Sequence, residues 1–102
     1  MKDFSARMAV VTGGGSGMGR ELVRQLIAEG CHVATCDVSA TALAETKQLC
    51  ETGSRPQGTR LTTHLTDVAS ETDVVRFRDE TADQHRTDTI HLLFTREWGE
   101  VT

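Results

Sequence analysis

The fold of this chain follows from one glycine-rich segment, Thr12-Gly13-Gly14-Gly15-Ser16-Gly17-Met18-Gly19. It follows a short apolar run at 9–11 and opens an amphipathic segment over 21–29. A strand, a glycine turn and a helix in this order are typical of sites for a dinucleotide pyrophosphate. Gly13 permits the tight turn, Gly17 a close approach of phosphate, and Gly19 close packing of helix on strand. The helix then offers unpaired N–H groups and its positive dipole end to the anion.

The glycine spacing separates this turn from related ones. Glycines at 13, 17 and 19 read Gly-x-x-x-Gly-x-Gly, and not Gly-x-Gly-x-x-Gly. A P-loop is excluded because Arg20-Glu21 stands where that loop requires Lys followed by Ser or Thr. With Thr12 in front, the turn resembles that of the short-chain dehydrogenase/reductase family, Thr-Gly-x-x-x-Gly-x-Gly, and the resemblance covers residues 6–94. A glycine linker is the alternative, although linkers rarely lie between a strand and an amphipathic helix.

Composition narrows the class of protein. The 102 residues fit one small domain. A net charge of −4 argues against nucleic acid or an anionic membrane as a partner, and no window is apolar enough to span a bilayer. Cys31, Cys36 and Cys50 lack C-x-x-C spacing and indicate reduced thiols of a cytoplasmic protein. The four histidines show no metal-ligand spacing, so no metal site is predicted.

Apolar periodicity predicts an α/β fold, a Rossmann-type parallel sheet with flanking helices. Strands are expected at about 7–11, 32–36, 60–65 and 89–94, and right-handed crossovers place them in the order 3-2-1-4. Ser39 is expected to cap the second helix, and 70–73 to form a capping box for the third. The helix residues predicted to face the sheet are Met18, Leu22, Val23, Leu26, Ile27, Leu43, Leu49, Val74, Val75, Phe77 and Ala82.

The predicted domain ends early. Residues 1–94 form a partial NAD(P)-binding Rossmann domain and residues 95–102 a divergent tail, so the sheet is expected to stop after its fourth strand. That strand would then be an open edge, and exposed edges favour self-association.

Asp37 ends the second predicted strand, eighteen residues after Gly19. An acidic residue there can accept hydrogen bonds from both ribose hydroxyls of an adenosine and would repel a 2′-phosphate, which favours NAD over NADP. The alternative is that Asp37 caps the next helix. The resemblance further implies that Asp67-Val68 contacts the adenine ring. The predicted cofactor-binding residues are therefore Gly13, Gly15, Ser16, Gly17, Met18, Gly19, Asp37, Val38, Asp67 and Val68.

The resemblance fails after Phe94, where the family carries Asn-Asn-Ala-Gly and this chain reads Thr95-Arg96-Glu97-Trp98-Gly99. The family's catalytic Ser and Tyr-x-x-x-Lys pair also have no counterpart, since the 102 residues contain no tyrosine. The resemblance thus implies the cofactor-binding half of an NAD(P)-dependent oxidoreductase acting on an alcohol or carbonyl. Alone it would bind at most the ADP part of the cofactor, without catalysis. The alternatives are a non-catalytic nucleotide-binding or subunit-association module, an inert truncated product, and a purely structural domain.

A reading-frame slip is one hypothesis for the break. Asn-Ala-Gly-Met-Gly can be encoded AAC-GCG-GGA-ATG-GGG, and reading one base later gives Thr-Arg-Glu-Trp-Gly, the residues at 95–99. A genuinely divergent tail is the alternative. A coding sequence whose shifted frame does not spell Tyr-x-x-x-Lys downstream would refute the slip.

Overall fold

The structure, a computed structural model, describes residues 7–53, 55–85, 92–95 and 99–101. Strands and helices alternate along most of this part of the chain, as the periodicity predicts. The strands are β1 (Met8–Thr12), β2 (His32–Asp37), β3 (Leu61–Leu65), β4 (Leu92–Thr95) and β5 (Gly99–Val101). The helices are α1 (Gly17–Ala28), α2 (Ala40–Thr52) and α3 (Glu71–His85).

One sheet joins these strands in the order β3-β2-β1-β4-β5. β1 pairs in parallel with both β2 and β4, and β2 pairs in parallel with β3. The predicted class, a parallel α/β sheet with flanking helices, is confirmed. Because parallel strands share one direction, the carboxyl ends of β1, β2 and β3 meet at the same edge of the sheet, where ligands bind in open α/β folds.

The expectation that the sheet stops at its fourth strand is wrong. β5 pairs antiparallel with β4, with Phe94 opposite Glu100, so β4 has a strand on each side. The proposed open edge on β4 is therefore not there. Antiparallel strands can be joined by a short connection. A strand of three residues is too short to show an alternating apolar pattern in the sequence. The predicted fourth strand begins at Thr89, but residues 86–91 lie outside the described part of the chain.

Side chains alternate across the sheet and build a core on each face. On β1, Ala9 and Val11 face one way, and Met8 and Val10 the other. The first face packs against α1 and α2 through Val23, Leu26, Ile27 and Cys50. The second packs against Phe77 of α3. Burial on both faces explains why the first four residues of β1 are all apolar.

Several helix residues that were predicted to face the sheet are exposed to solvent. Met18 is 90% exposed, because it lies five positions before the buried Val23 and therefore roughly 140° around α1 from it. Leu49 is exposed because the inner face of α2 consists of Leu43, Thr46 and Cys50. Val74 and Val75 are also exposed, since the buried positions of α3 are Phe77 and Thr81.

Candidate functional site

The glycine turn between β1 and α1 packs tightly against the end of β2. The N–H groups of Gly13 and Gly14 both donate to the carbonyl of Cys36, at 2.8 and 3.1 Å. Gly13 has φ of +74°, a left-handed conformation that favours glycine. A Cβ on Gly19 would overlap the carbonyl oxygen of Gly13 and lie 2.7 Å from its carbonyl carbon. The third glycine of the motif is therefore required by the close approach of α1 to the turn.

The amino end of α1 is open. α1 begins at Gly17, and its N-cap residue Ser16 makes no side-chain hydrogen bond to the helix. Apart from its chain neighbours and the backbone of α1 itself, no heavy atom of the described residues lies within 4 Å of the point where a Cβ on Gly17 would sit. The first-turn N–H groups of a helix have no intrahelical partners and carry the positive end of the dipole. This end of α1 therefore fits a phosphate in both space and charge.

Asp37 connects the end of β2 to the glycine turn. Its Oδ2 accepts a hydrogen bond from the N–H of Gly15 at 2.9 Å, and its Oδ1 accepts from the N–H of Val38 at 2.7 Å. The cap of α2 is instead Ser39, as predicted, because its side chain accepts from the N–H of Ala42. Asp37 is therefore not the N-cap of α2, which was the alternative. Each carboxylate oxygen has a second lone pair that can accept from a further donor.

The end of β3 adjoins the end of β2. The N–H of Thr66 donates to the carbonyl of Asp37 at 2.9 Å, so Asp67 follows directly beside this carboxylate-bearing strand end. The Asp67 Oδ1 accepts from the N–H of Ala69 at 2.9 Å. Val38 and Val68 are exposed at this edge. The predicted site residues therefore all lie at the carboxyl ends of β1, β2 and β3.

The predicted capping box of α3 is only half formed. Ser70 Oγ accepts from the N–H of Asp73 at 3.3 Å. The Asp73 carboxylate, however, accepts from the N–H of Asp67 at 2.9 Å instead of that of Ser70. Asp73 thereby fixes the loop after β3 at the site edge.

The side chains that bind the backbone carbonyls of the glycine turn were not identified from the sequence. Thr46 of α2 donates to the carbonyl of Gly14 at 2.7 Å, and its side chain is fully buried. The Arg20 guanidinium donates to the carbonyl of Gly15 and, through Nε, to Thr46 Oγ1 at 2.9 Å. These partners are 26 or more residues apart, except for Arg20 and Gly15. No local pattern reveals such contacts.

A hydrogen-bonded chain of side chains crosses from α3 to β3. Glu80 contacts His64 Nδ1 at 2.9 Å, His64 Nε2 contacts Thr62 Oγ1 at 2.9 Å, and that hydroxyl contacts His85 Nε2 at 2.7 Å. Burial, aided by the charges of Arg60 and the other histidines, lowers the pKa of His85 to about 4. A carboxylate, an imidazole and a hydroxyl in this order have the spacing of a hydrolytic triad. Here they are packing groups, since His64 is buried against the Phe77 ring at 5.0 Å between centroids.

The described residues contain neither a metal-binding cluster nor a membrane-spanning helix. No cluster of three His, Cys, Asp or Glu side chains in this part of the chain has the arrangement to hold a metal ion. Within the same ranges, no helix has the length and hydrophobicity needed to cross a bilayer.

The glycine turn, the open helix end and the carboxylate after β2 are features of the Rossmann-type class of α/β proteins. The family model for short chain dehydrogenase matches residues 7–95. The chain belongs to the short-chain dehydrogenase family, as its motifs indicate, and that family is nicotinamide-dinucleotide dependent.

Similar proteins are dehydrogenases of much greater length. A 2,5-dichloro-2,5-cyclohexadiene-1,4-diol dehydrogenase of Sphingobium indicum is 48% identical over 42 residues, 41% of this chain and 17% of that enzyme. A cis-2,3-dihydrobiphenyl-2,3-diol dehydrogenase of a Pseudomonas species is 55% identical over 38 residues, 37% of this chain and 14% of that enzyme. A short-chain dehydrogenase/reductase from Burkholderia phymatum, solved with NAD, is 30% identical with a TM-score of 0.78. The match covers 92% of this chain and 31% of that structure.

Proposed function

We propose that this chain is the cofactor-binding half of a short-chain oxidoreductase and binds the ADP part of a nicotinamide dinucleotide. The observation that carries the proposal is the 2.9 Å hydrogen bond from the N–H of Gly15 to the Asp37 carboxylate. This contact supports the proposal, because the turn and Asp37 are then close enough for one adenosine diphosphate to reach both.

Each predicted residue receives a role in this proposal. Gly13 and Gly19 shape the turn, while Gly15, Ser16 and Gly17 bring the backbone and the amino end of α1 close to the diphosphate. The exposed Met18 flanks the cofactor at the same helix end. Asp37 accepts from the ribose hydroxyls. The exposed Val38 and Val68 border the adenine, and Asp67 accepts from its exocyclic amine.

We further propose that the cofactor is NAD rather than NADP. The Asp37 carboxylate would repel a 2′-phosphate, and Val38 and Ser39 beside it supply no positive charge. Arg20, a nearby cation, pairs with Glu45 at 3.1 Å and donates to backbone carbonyls. The similar structure from Burkholderia phymatum, a complex with NAD, supports the same preference.

The whole oxidoreductase requires more than these residues. We propose that strands β3-β2-β1-β4, within residues 1–94 and the start of the tail at 95–102, correspond to the first half of a doubly wound sheet. The names of the similar diol dehydrogenases favour a substrate with alcohol groups. A tyrosine acid would have to come from outside the 102 residues, which contain none. The chain by itself is expected to bind cofactor without turnover.

The proposal is tested by titrating NAD and NADP into the wild-type protein and into the Asp37→Ser variant. Loss of a charged acceptor costs about 1.5–3 kcal/mol, so NAD affinity should fall about tenfold or more. The preference over NADP should shrink at the same time, because the repulsion of the 2′-phosphate is removed. Asp79→Ser is the matched control, since Asp79 is exposed on α3 and bonds only to Arg78 among the described residues. Unchanged NAD binding by Asp37→Ser would refute the assignment, and wild-type protein that binds no NAD would favour the inert product.

A further inference from the structure

We propose that Arg20 is a positioning residue for the cofactor turn, holding the peptide between Gly15 and Ser16 so that the Ser16 N–H points away from α2. This inference rests on the proposed function, because it assigns that N–H to the diphosphate side of the turn. It adds a residue that lies outside the glycine motif and outside every residue predicted to touch the cofactor.

The contacts of Arg20 place its guanidinium between the turn and α2. One terminal nitrogen donates to the carbonyl of Gly15 and to the carbonyl of Ala42 at 3.1 Å. The same nitrogen lies 3.1 Å from a Glu45 carboxylate oxygen, and Nε donates to Thr46 Oγ1 at 2.9 Å. The side chain is 24% exposed, so these contacts form largely away from solvent. A planar guanidinium with several donors suits this set of acceptors, which an ammonium group cannot satisfy together.

The direction of the Ser16 N–H follows from peptide geometry. In a trans peptide the C=O and the N–H point in opposite directions, and the described residues contain no cis bond. Since Arg20 binds the carbonyl of Gly15, the N–H of Ser16 in the same peptide must face away from the guanidinium. The N–H of the same residue, Gly15, is held on its other side by the Asp37 carboxylate at 2.9 Å. The turn is thereby clamped from two sides.

Thr46 performs the same task one peptide earlier. Its hydroxyl donates to the carbonyl of Gly14 at 2.7 Å and accepts from Arg20 Nε. Thr46 is completely buried, so water cannot replace it without a change in packing. The position of α2 therefore fixes the turn, because Arg20 and Thr46 connect this helix to the carbonyls of Gly15 and Gly14.

Three variants separate positioning from charge and from packing. Arg20→Lys keeps the positive charge and removes the planar group. Thr46→Val removes the hydroxyl at similar volume, and Thr46→Ser is its control because it keeps the donor. Exchange of amide hydrogen in the ligand-free protein is measured by NMR at Gly15 and at Val33, a β2 amide that donates to the backbone carbonyl of Arg60. ADP and adenosine are then titrated, because only ADP carries the diphosphate.

In Arg20→Lys and Thr46→Val, the Gly15 amide should exchange about tenfold faster than in wild type, with Val33 unchanged. ADP affinity should fall about tenfold and adenosine affinity less than about threefold, while Thr46→Ser resembles wild type. Equal acceleration at Gly15 and Val33, equal losses for ADP and adenosine, or wild-type behaviour of Arg20→Lys would each overturn the inference. Wild-type protein that binds neither nucleotide would refute the proposed function, and the exchange rates would still decide whether Arg20 holds the peptide.

Discussion

Alanine at two glycines of the cofactor turn should destabilise the chain for different physical reasons. At Gly19 the backbone needs no special conformation, but a Cβ would overlap the carbonyl oxygen of Gly13. At Gly17 a Cβ would meet nothing within 4 Å, but φ is +59°. The two substitutions add the same methyl group, so any difference between them reports on the turn itself.

The Gly19→Ala cost is set by how firmly its obstacle is held. A new Cβ would lie 2.7 Å from the Gly13 carbonyl carbon, where a real Cβ keeps more than 3.0 Å. The obstacle is backbone, and Gly13 is anchored to Cys36 by its own N–H at 2.8 Å. We expect a loss near the upper end for overpacking, about 3 kcal/mol. Gly17→Ala should cost about 1–2 kcal/mol, the price of a left-handed residue with a side chain.

Urea unfolding followed by circular dichroism measures both losses. A chain of this length has a free energy of unfolding of about 5–15 kcal/mol, so a 3 kcal/mol loss moves the midpoint clearly. Gly17→Asn is a control, because asparagine tolerates the left-handed region better than alanine. The reasoning is refuted if Gly19→Ala costs less than about 1 kcal/mol, or if Gly17→Ala costs more than Gly19→Ala.

Two further predictions concern pH and thiol reactivity. The pKa of His85 is about 4 in the folded chain and 6.5 when unfolded, so its contribution to stability is full above pH 6.5 and lost as pH falls toward 4. Because the site is only half-buried, this contribution is about 1–2 kcal/mol. The unfolding free energy of His85→Gln should therefore differ less between pH 7 and pH 4.5 than that of the wild type, and an equal difference in both proteins would contradict this. Burial raises the pKa of Cys31 and Cys36 from 9.0 to about 11, so at pH 8 their thiolate fractions are about 100-fold lower than usual. Both should react with a disulfide reagent only after unfolding in urea, and rapid labelling of native protein would count against the buried placement.

The local signals in the sequence predicted the centre of the fold well. An apolar run, a glycine turn and an amphipathic helix indicated the first β-α unit, because each feature reflects contacts within a few residues. Asp37 was predicted at the site because the end of β2 follows from the strand pattern. Ser39 was predicted as a cap from its position before a helix, and its side chain accepts from Ala42 as expected.

The remaining features depend on contacts that no local pattern encodes. Thr46 lies 32 residues from the carbonyl it supports, and nothing about its neighbours distinguishes it from a surface threonine. Met18 resembles a core residue until the first turn of α1 is in place, when its angle around the helix turns it outward. Asp73 has the right spacing for a capping box, yet the loop after β3 brings the N–H of Asp67 to its carboxylate instead.

Isotope-labelled protein titrated with NAD, observed by its backbone amide resonances, tests the central claim most directly. The account predicts that saturating NAD shifts the amides of 13–19, 37–38 and 67–68 together along one binding curve, with those of α3 beyond its first turn unmoved. Shifts confined to one of these segments, or separate curves for the turn and for Asp37, would contradict a shared adenosine diphosphate site.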